Sequence, residues 1–349
     1  MSQIDYLEKF RCGIIGLGRI GCGFDDDPHK KIISTHAGAY MKNEKSDLIA
    51  LCDIDKKKLL KYGKKYHVPG LYTEIHEFFE NEKLDCVSIC TLANSHLEIV
   101  REATEHDIQG IFLEKPISDD LESAKTIVNL CKKKNIKLQI DHQRRFDAFY
   151  NDIKKLVKSK KFDPVQYFSI NYVAGVANTG SHLFDLCRFF FGDISYVMGK
   201  FSKNKSKNKE DPNIDGFIKF KNGIECHIQS FDSNQFRIVE FDIIGKKARI
   251  RLDLTNSTVE YFEVSEKMNG TSYYGLTKKP FNSKSIKEPI LSGLENLIYS
   301  IEKNVNTLCT GEEGYSSLET IIALIESAKH SGKKITLPLK KNTNRISSK

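Results

Sequence analysis

The chain has 349 residues, 40% of them apolar and 29% charged, with a formal charge of +8. That length suits two globular domains rather than one. No apolar run approaches the length that spans a bilayer, and the N-terminus MSQIDYLEKFR lacks the apolar segment of a secretion signal, so a cytoplasmic, membrane-free protein is expected. The lysines fall in short groups beside helices, as in DKKKLLKYGKK (55–65) and NKSKNKE (204–210). They do not form a basic stripe interleaved with stacking aromatics, which argues for solvated faces and against a nucleic-acid partner. A positive field would also suit an acidic small substrate. Nine cysteines, an odd number with no C-x-x-C pair, sit mostly in apolar segments and are expected as buried thiols.

In chain order, RCGIIGLGRIG (Arg11–Gly21) reads as a strand that stops at Gly16 and gives way to a helix. Gly16, Gly18 and Gly21 fit the dinucleotide fingerprint: tight turn, backbone approach to a pyrophosphate, close helix–strand packing. With Arg19 and Ile20 they are the expected cofactor turn. The strand LIALCD ends in Asp53, placed to accept from a ribose diol and to repel a 2′-phosphate, so NAD(H) is expected over NADP(H). Asp53 lies 32 residues past Gly21, against the usual gap of about twenty, so roughly a dozen residues are inserted. GFDDDPHKKII (23–33) breaks helical periodicity and is the expected insertion. Its aspartates and His29, with His36 beyond, admit a metal reading, but a solvated turn is the simpler one and no metal is expected. THAGAY (35–40) should restart the helix on a Ser34 or Thr35 cap, with His36 near the mouth of the site.

From Leu48 to Asp141, apolar runs alternate with amphipathic stretches. Helices are expected at 54–66, 75–81, 95–106 and 119–134, and strands near Leu71 and at 86–90, 110–113 and 136–140, in a mostly parallel sheet. After about residue 145 a helix (146–159), a strand (165–172) and a helix (181–191) lead into a run of strands. Asn222-Gly223 marks a hairpin, 241–253 reads as another, and 259–264 as a further strand. Helices at 288–307 and 314–331 follow, then a polar tail from Lys340 expected to fray. The expected fold class is therefore α/β: an N-terminal Rossmann domain (1–142) and a C-terminal α+β domain (143–339) with an open, largely antiparallel sheet. The helix 314–331 is placed to pack back on the first domain.

Ligands in open α/β sheets bind beyond the carboxyl ends of the strands. There, CTLANSH (90–96) offers Thr91 and Asn94 to ribose or phosphate, with Ser95 as a helix cap. For Asn94 and His96, ligand contact and capping are equally consistent with the pattern. In LEKP (113–116), Lys115 is a candidate to share a proton with a substrate hydroxyl, with Glu114 steadying its ammonium; an ordinary exposed lysine is the alternative. QIDHQRRF (139–146) brings Arg145. In NTGSHLFDL (178–186), Ser181 is expected to cap a helix with His182 in its first turn and Asp185 on the same face; a satisfied core histidine is the alternative.

GLGRIG, CD, TLANSH, EKP, RRF and GSHLFDL, in this order, with the ending GYSSLETIIALIESAKHSGKKITLPL (314–339), resemble the glucose-fructose oxidoreductase / inositol dehydrogenase / MocA family. The resemblance covers nearly the whole chain. It implies a Rossmann domain followed by an α/β domain whose open sheet mediates homodimers or homotetramers. It also implies NAD(P)-dependent hydride transfer at a hydroxyl or keto carbon of a sugar, nucleotide-linked sugar or cyclic polyol. Lys115 and His182 map to the family's active-site pair, with Arg145, Asn178 and Asp185 expected near substrate. Many polyol-oxidising members carry an aspartate four residues before the histidine; Asn178 stands there and cannot exchange protons as a carboxylate does. A non-catalytic NAD-binding sensor or scaffold, or an enzyme using tightly held NAD without net redox, are the alternative functions.

Overall fold

The structure is a computed structural model describing residues 9–347 apart from 30–31, 235, 257, 269, 271, 284–287 and 341–343. The chain divides into two compact units, Met1–Asp147 with Ile286–Tyr315, and Ala148–Ser285 with Ser316–Lys349.

In the first unit, β1 (Phe10–Ile15), β2 (Ser46–Cys52), β3 (Gly70–Tyr72), β4 (Cys86–Ile89), β5 (Gly110–Leu113) and β6 (Lys137–Ile140) pair in parallel in the order β3-β2-β1-β4-β5-β6. This is the dinucleotide-binding order. Every residue of β4 and β5 is buried, as befits strands covered on both faces by helices. The covering helices are α1 (His36–Lys42), α2 (Lys56–Tyr66), α3 (Ile75–Asn81), α4 (His96–Ala103) and α5 (Leu121–Lys133).

The helix expected directly after Gly16 is interrupted. A turn closes with Cys22 N–H bonded to the Gly18 carbonyl, and a short 3-10 segment, Gly23–Asp26, carries the chain away. It returns at α1, where the His36 and Ala37 N–H groups bond to the carbonyls of Ile20 and Gly21 at 3.1 and 3.0 Å. The backbone ladder therefore continues across the insertion. Thr35 is the cap, its hydroxyl accepting from Gly38 N–H. Asp25 accepts from Ser34 N–H at 2.8 Å and from the Thr35 hydroxyl, while Asp26 takes Lys61, Lys65 and the Tyr62 hydroxyl. Two of the three adjacent aspartates thus serve as clamps.

The second unit carries α6 (Ala148–Val157), β7 (Val165–Tyr172), α7 (Gly180–Phe191), β8 (Ile194–Phe201), β9 (Ile214–Phe220), β10 (Glu225–Ser230), β11 (Glu240–Gly245), β12 (Ala248–Asp253), β13 (Thr258–Met268), β14 (Tyr274–Lys279) and β15 (Ile335–Thr336). Among the described residues these strands form one sheet in the order β14-β13-β12-β11-β7-β10-β9-β8-β15, antiparallel except between β7 and β10. The β9–β10 hairpin turns at Gly223 (φ +93°), where an L side chain would be strained. The expected fraying of the tail is corrected at residues 344–347: Ile346 is buried, the Asn344 amide meets Glu326, and Ser347 donates to Glu210 at 2.9 Å. Late in the chain, α8 (Pro289–Glu302) belongs to the first unit, and Gly110 and Gly293 leave room for it against β5. The last helix, α9 (Gly311–Lys329), starts in the first unit and continues in the second. All nine cysteines are buried, and among the described residues no helix is long and apolar enough to cross a membrane.

Candidate active site

Strand register brings the candidate residues of the first unit to one edge. Ile15 pairs with Ile89, Ile89 with Leu113, and Leu113 with Ile140. The next residues, Gly16, Cys90, Glu114 and Asp141, therefore stand level at the carboxyl ends of four neighbouring strands.

The glycine turn meets the demands of a dinucleotide site position by position. Gly16 has φ +92°, and a Cβ there would stand 2.8 Å from the Cys90 carbonyl carbon. At Gly21 a Cβ would lie 2.2 Å from the Gly16 carbonyl oxygen, so the third glycine is required by packing. A Cβ on Gly18 would meet no protein atom within 4 Å, so that face of the turn is open to a pyrophosphate. The Arg19 guanidinium stacks on the Phe24 ring at 4.6 Å. One carboxylate oxygen of Asp53 accepts Leu17 N–H at 2.7 Å and the other Asp55 N–H at 2.9 Å. Those bonds use two of its about four acceptor positions and leave the rest for a diol. Lys58 Nζ lies 3.7 Å from the same carboxylate.

In the loop after β4, Asn94 is exposed within the 3-10 turn Ala93–Ser95. Ser95 does not cap α4 as expected; its hydroxyl donates to Thr91 Oγ1 and the Leu92 carbonyl, tightening the turn. His96 is fully buried, with its ring nitrogens 3.2 Å from the Thr91 and Ile117 carbonyls. Burial holds its basicity below the ordinary range, and a neutral ring donates to one of these two carbonyls and packs against the other.

Lys115 is half-buried after β5. Glu114 is buried, with one oxygen 3.2 Å from His36 Nε2 and the other accepting Lys115 N–H at 3.2 Å. His36, expected near the mouth, is only 1% exposed: as the first residue of α1 it faces the strand ends, with Nδ1 2.9 Å from Ser88 Oγ and Nε2 3.6 Å from Asp141 Oδ2. His36, Glu114 and Asp141 form a compact buried cluster that sequence spacing did not reveal. Arg145 is also buried, and its guanidinium reaches Glu313 at 2.8 Å.

In the second unit, the segment before α7 is a π-turn, Gly175–Thr179. Asp211, missed in the sequence, caps it: its buried carboxylate accepts Ala177 N–H at 2.7 Å and Asn178 N–H at 2.8 Å. Asn178 is exposed at that turn. The helix begins at Gly180, so Ser181 lies inside it, its hydroxyl bonded to the Asn178 carbonyl rather than capping. His182 is half-buried in the first turn, and Asp185 is buried one turn on.

Residues 10–142 match the family described as "Oxidoreductase family, NAD-binding Rossmann fold", and residues 174–337 match its "C-terminal alpha/beta domain". Myo-inositol 2-dehydrogenase of Thermotoga maritima is 23% identical over 336 residues, covering 88% of this chain and 93% of that protein. D-apiose dehydrogenase of Paraburkholderia graminis is 24% identical over 257 residues, covering 67% of this chain and 66% of that one. Among solved structures, the WlbA dehydrogenase of Bordetella pertussis, in complex with NADH and UDP-GlcNAcA, superposes with a TM-score of 0.76 at 18% identity, covering 95% of this chain and all of that one. That last likeness is one of fold.

Proposed function

The chain belongs to the Gfo/Idh/MocA oxidoreductase family, which acts on CH–OH groups, and from that premise we propose that it transfers hydride between NAD(H) and a hydroxyl or keto carbon of a sugar, nucleotide-linked sugar or cyclic polyol. The observation that carries the proposal is the register of β1, β4, β5 and β6, which sets the open glycine turn and the Lys115 loop at one sheet edge. The turn formed by Gly16, Gly18, Arg19, Ile20 and Gly21 would hold the pyrophosphate, Asp53 the adenosine ribose, and Thr91 and Asn94 further sugar or phosphate groups. His96 and Glu114 support these loops from within. Nicotinamide held at this edge would supply the hydride acceptor or donor.

We assign the proton exchange to this chain's own side chains. In the oxidising direction the substrate hydroxyl gives its proton to Lys115 Nζ, which must first be unprotonated, and in the reducing direction the ammonium returns it. His182 is assigned the same kind of role from the second unit, with Asn178 and Asp185 beside it in sequence as substrate contacts. NAD(H) is preferred in this proposal because the Asp53 carboxylate would repel a 2′-phosphate. A homodimer or homotetramer belongs to the same reading, supported by Tyr167 and Met198 exposed on one face of the second unit's sheet. The test is a panel of inositols, hexoses and UDP-sugars followed at the reduced-nicotinamide absorbance band, with Lys115→Met expected to lose about 100-fold or more in turnover. Undiminished turnover in Lys115→Met overturns the assignment.

A further inference from the structure

Beneath the Lys115 loop, three buried ionisable groups meet. Glu114 and Asp141 arrive from the ends of adjacent strands, and His36 arrives from α1. Asp141 is 1% exposed, and among the described residues neither of its oxygens has a hydrogen-bond partner; what holds it is the charge of His36, 3.6 Å away. Two carboxyls side by side in the interior are desolvated and repel each other; burial and then Asp141 hold the Glu114 carboxyl above its ordinary range, and His36 beside it pulls the other way.

The imidazole is held on every side. Its Nδ1 meets Ser88 Oγ, and Ser88 Oγ in turn meets the Tyr40 hydroxyl at 2.8 Å. Tyr40 lies one helical turn beyond His36, so α1 grips Ser88 with two side chains of one face. The Phe112 ring stands edge-on to the imidazole at 4.7 Å. Burial works against a charged ring, but Cys90, Asp141 and Glu114 around it raise its basicity well above the ordinary histidine range. Since burial keeps the Cys90 thiol protonated, the carboxylates supply the decisive charge.

We infer that His36 is a positioning residue for Lys115: from its seat on Ser88 it fixes the Glu114 carboxylate, whose second oxygen takes the Lys115 N–H and so sets where the lysine side chain starts. The inference rests on the assignment of proton exchange to Lys115. It ties the start of α1, and hence the clamped insertion, to the reacting edge of the sheet.

The test uses full-length protein with His36→Gln and, as a milder variant that keeps the cluster's charges, Ser88→Ala. Turnover is measured on the fastest substrate among myo-inositol, D-glucose and UDP-N-acetylglucosamine, alongside NADH binding and amide exchange of residues 113–118. His36→Gln should lower kcat by about 10- to 100-fold, as misplacement of a reacting group does, with KM and the NADH Kd within about twofold. Exchange over 113–118 should quicken in both variants. Added to Lys115→Met, His36→Gln should cost less than about twofold more, because its effect runs through the lysine. Folded variants with unchanged kcat and unchanged exchange overturn the inference, as does an independent loss in the Lys115→Met background. Stoichiometric metal in purified protein also overturns it, since the three side chains would then be ligands. If His36→Gln fails to fold, Ser88→Ala decides. If no panel compound reacts, or Lys115→Met keeps full turnover, the functional reading fails, while the exchange data still judge the placement of the loop.

Discussion

The carboxylate of Asp53, at the end of β2, accepts the backbone N–H of Leu17, inside the glycine turn, at 2.7 Å. One side chain thus shapes the glycine turn and, in the proposed site, would also meet the ribose. Asp53→Asn keeps the size and removes the charge, so the ratio of NADPH to NADH affinity should rise at least about tenfold, most of a unit-charge effect at short range. Fluorescence titration with both nucleotides measures it. An unchanged ratio retires the assignment of NAD.

Gly18 and Gly21 should separate binding from stability. Gly18→Ala meets no protein atom, so its melting temperature should match the parent while NADH binding weakens about tenfold or more. Gly21→Ala drives a methyl against the Gly16 carbonyl and should cost about 1–3 kcal/mol of stability. Calorimetry and NADH titration on the pair check both statements. Normal NADH affinity in Gly18→Ala would remove the pyrophosphate from this turn.

The Asp26 clamp predicts a pH signature. Partial burial pushes the carboxyl up, but Lys61, Lys65 and the Tyr62 hydroxyl outweigh it and hold the group down at about 2. An unfolded aspartate titrates at about 3.9, so the clamp's contribution is complete above that pH and is lost as pH falls toward about 2. Because its lysine partners are partly exposed, Asp26→Asn should cost only about 1 kcal/mol at pH 7. Urea melts from pH 7 down to 2.5 should show the gap between parent and variant closing below about pH 4.

Asp211 holds the turn that carries Asn178 through two backbone N–H groups. Asp211→Asn presents an amide N–H₂ to one of them and should cost about 1–3 kcal/mol. If the turn positions Asn178 and His182 for substrate, kcat/KM should fall more than stability alone explains. Denaturant melts and kinetics on the same preparations separate the two effects.

Much of the architecture was legible because parallel strands covered on both faces are largely apolar, as in CVSI and GIFL, and because Asn222-Gly223 admits few backbone paths. What stayed hidden depended on partners distant in sequence. His36 reads as a polar helix start until Glu114, 78 positions later, folds against it. Asp211 caps a turn from 34 positions away, where propensity favours a local serine. Ser95 and Ser181 make no cap bond; each hydroxyl instead donates to a carbonyl three residues back. The tail read as polar, yet Ile346 alone gave it an apolar anchor.

Since the amides of His36 and Ala37 resume the ladder on Ile20 and Gly21, the excursion between them works like a parenthesis in the helix. Its ends are fixed by the ladder and by the Asp25 and Asp26 clamps, so its length can change between those points without shifting the strand order or the glycine turn. Such a segment is a natural place to vary a sequence, or to splice in a reporter peptide.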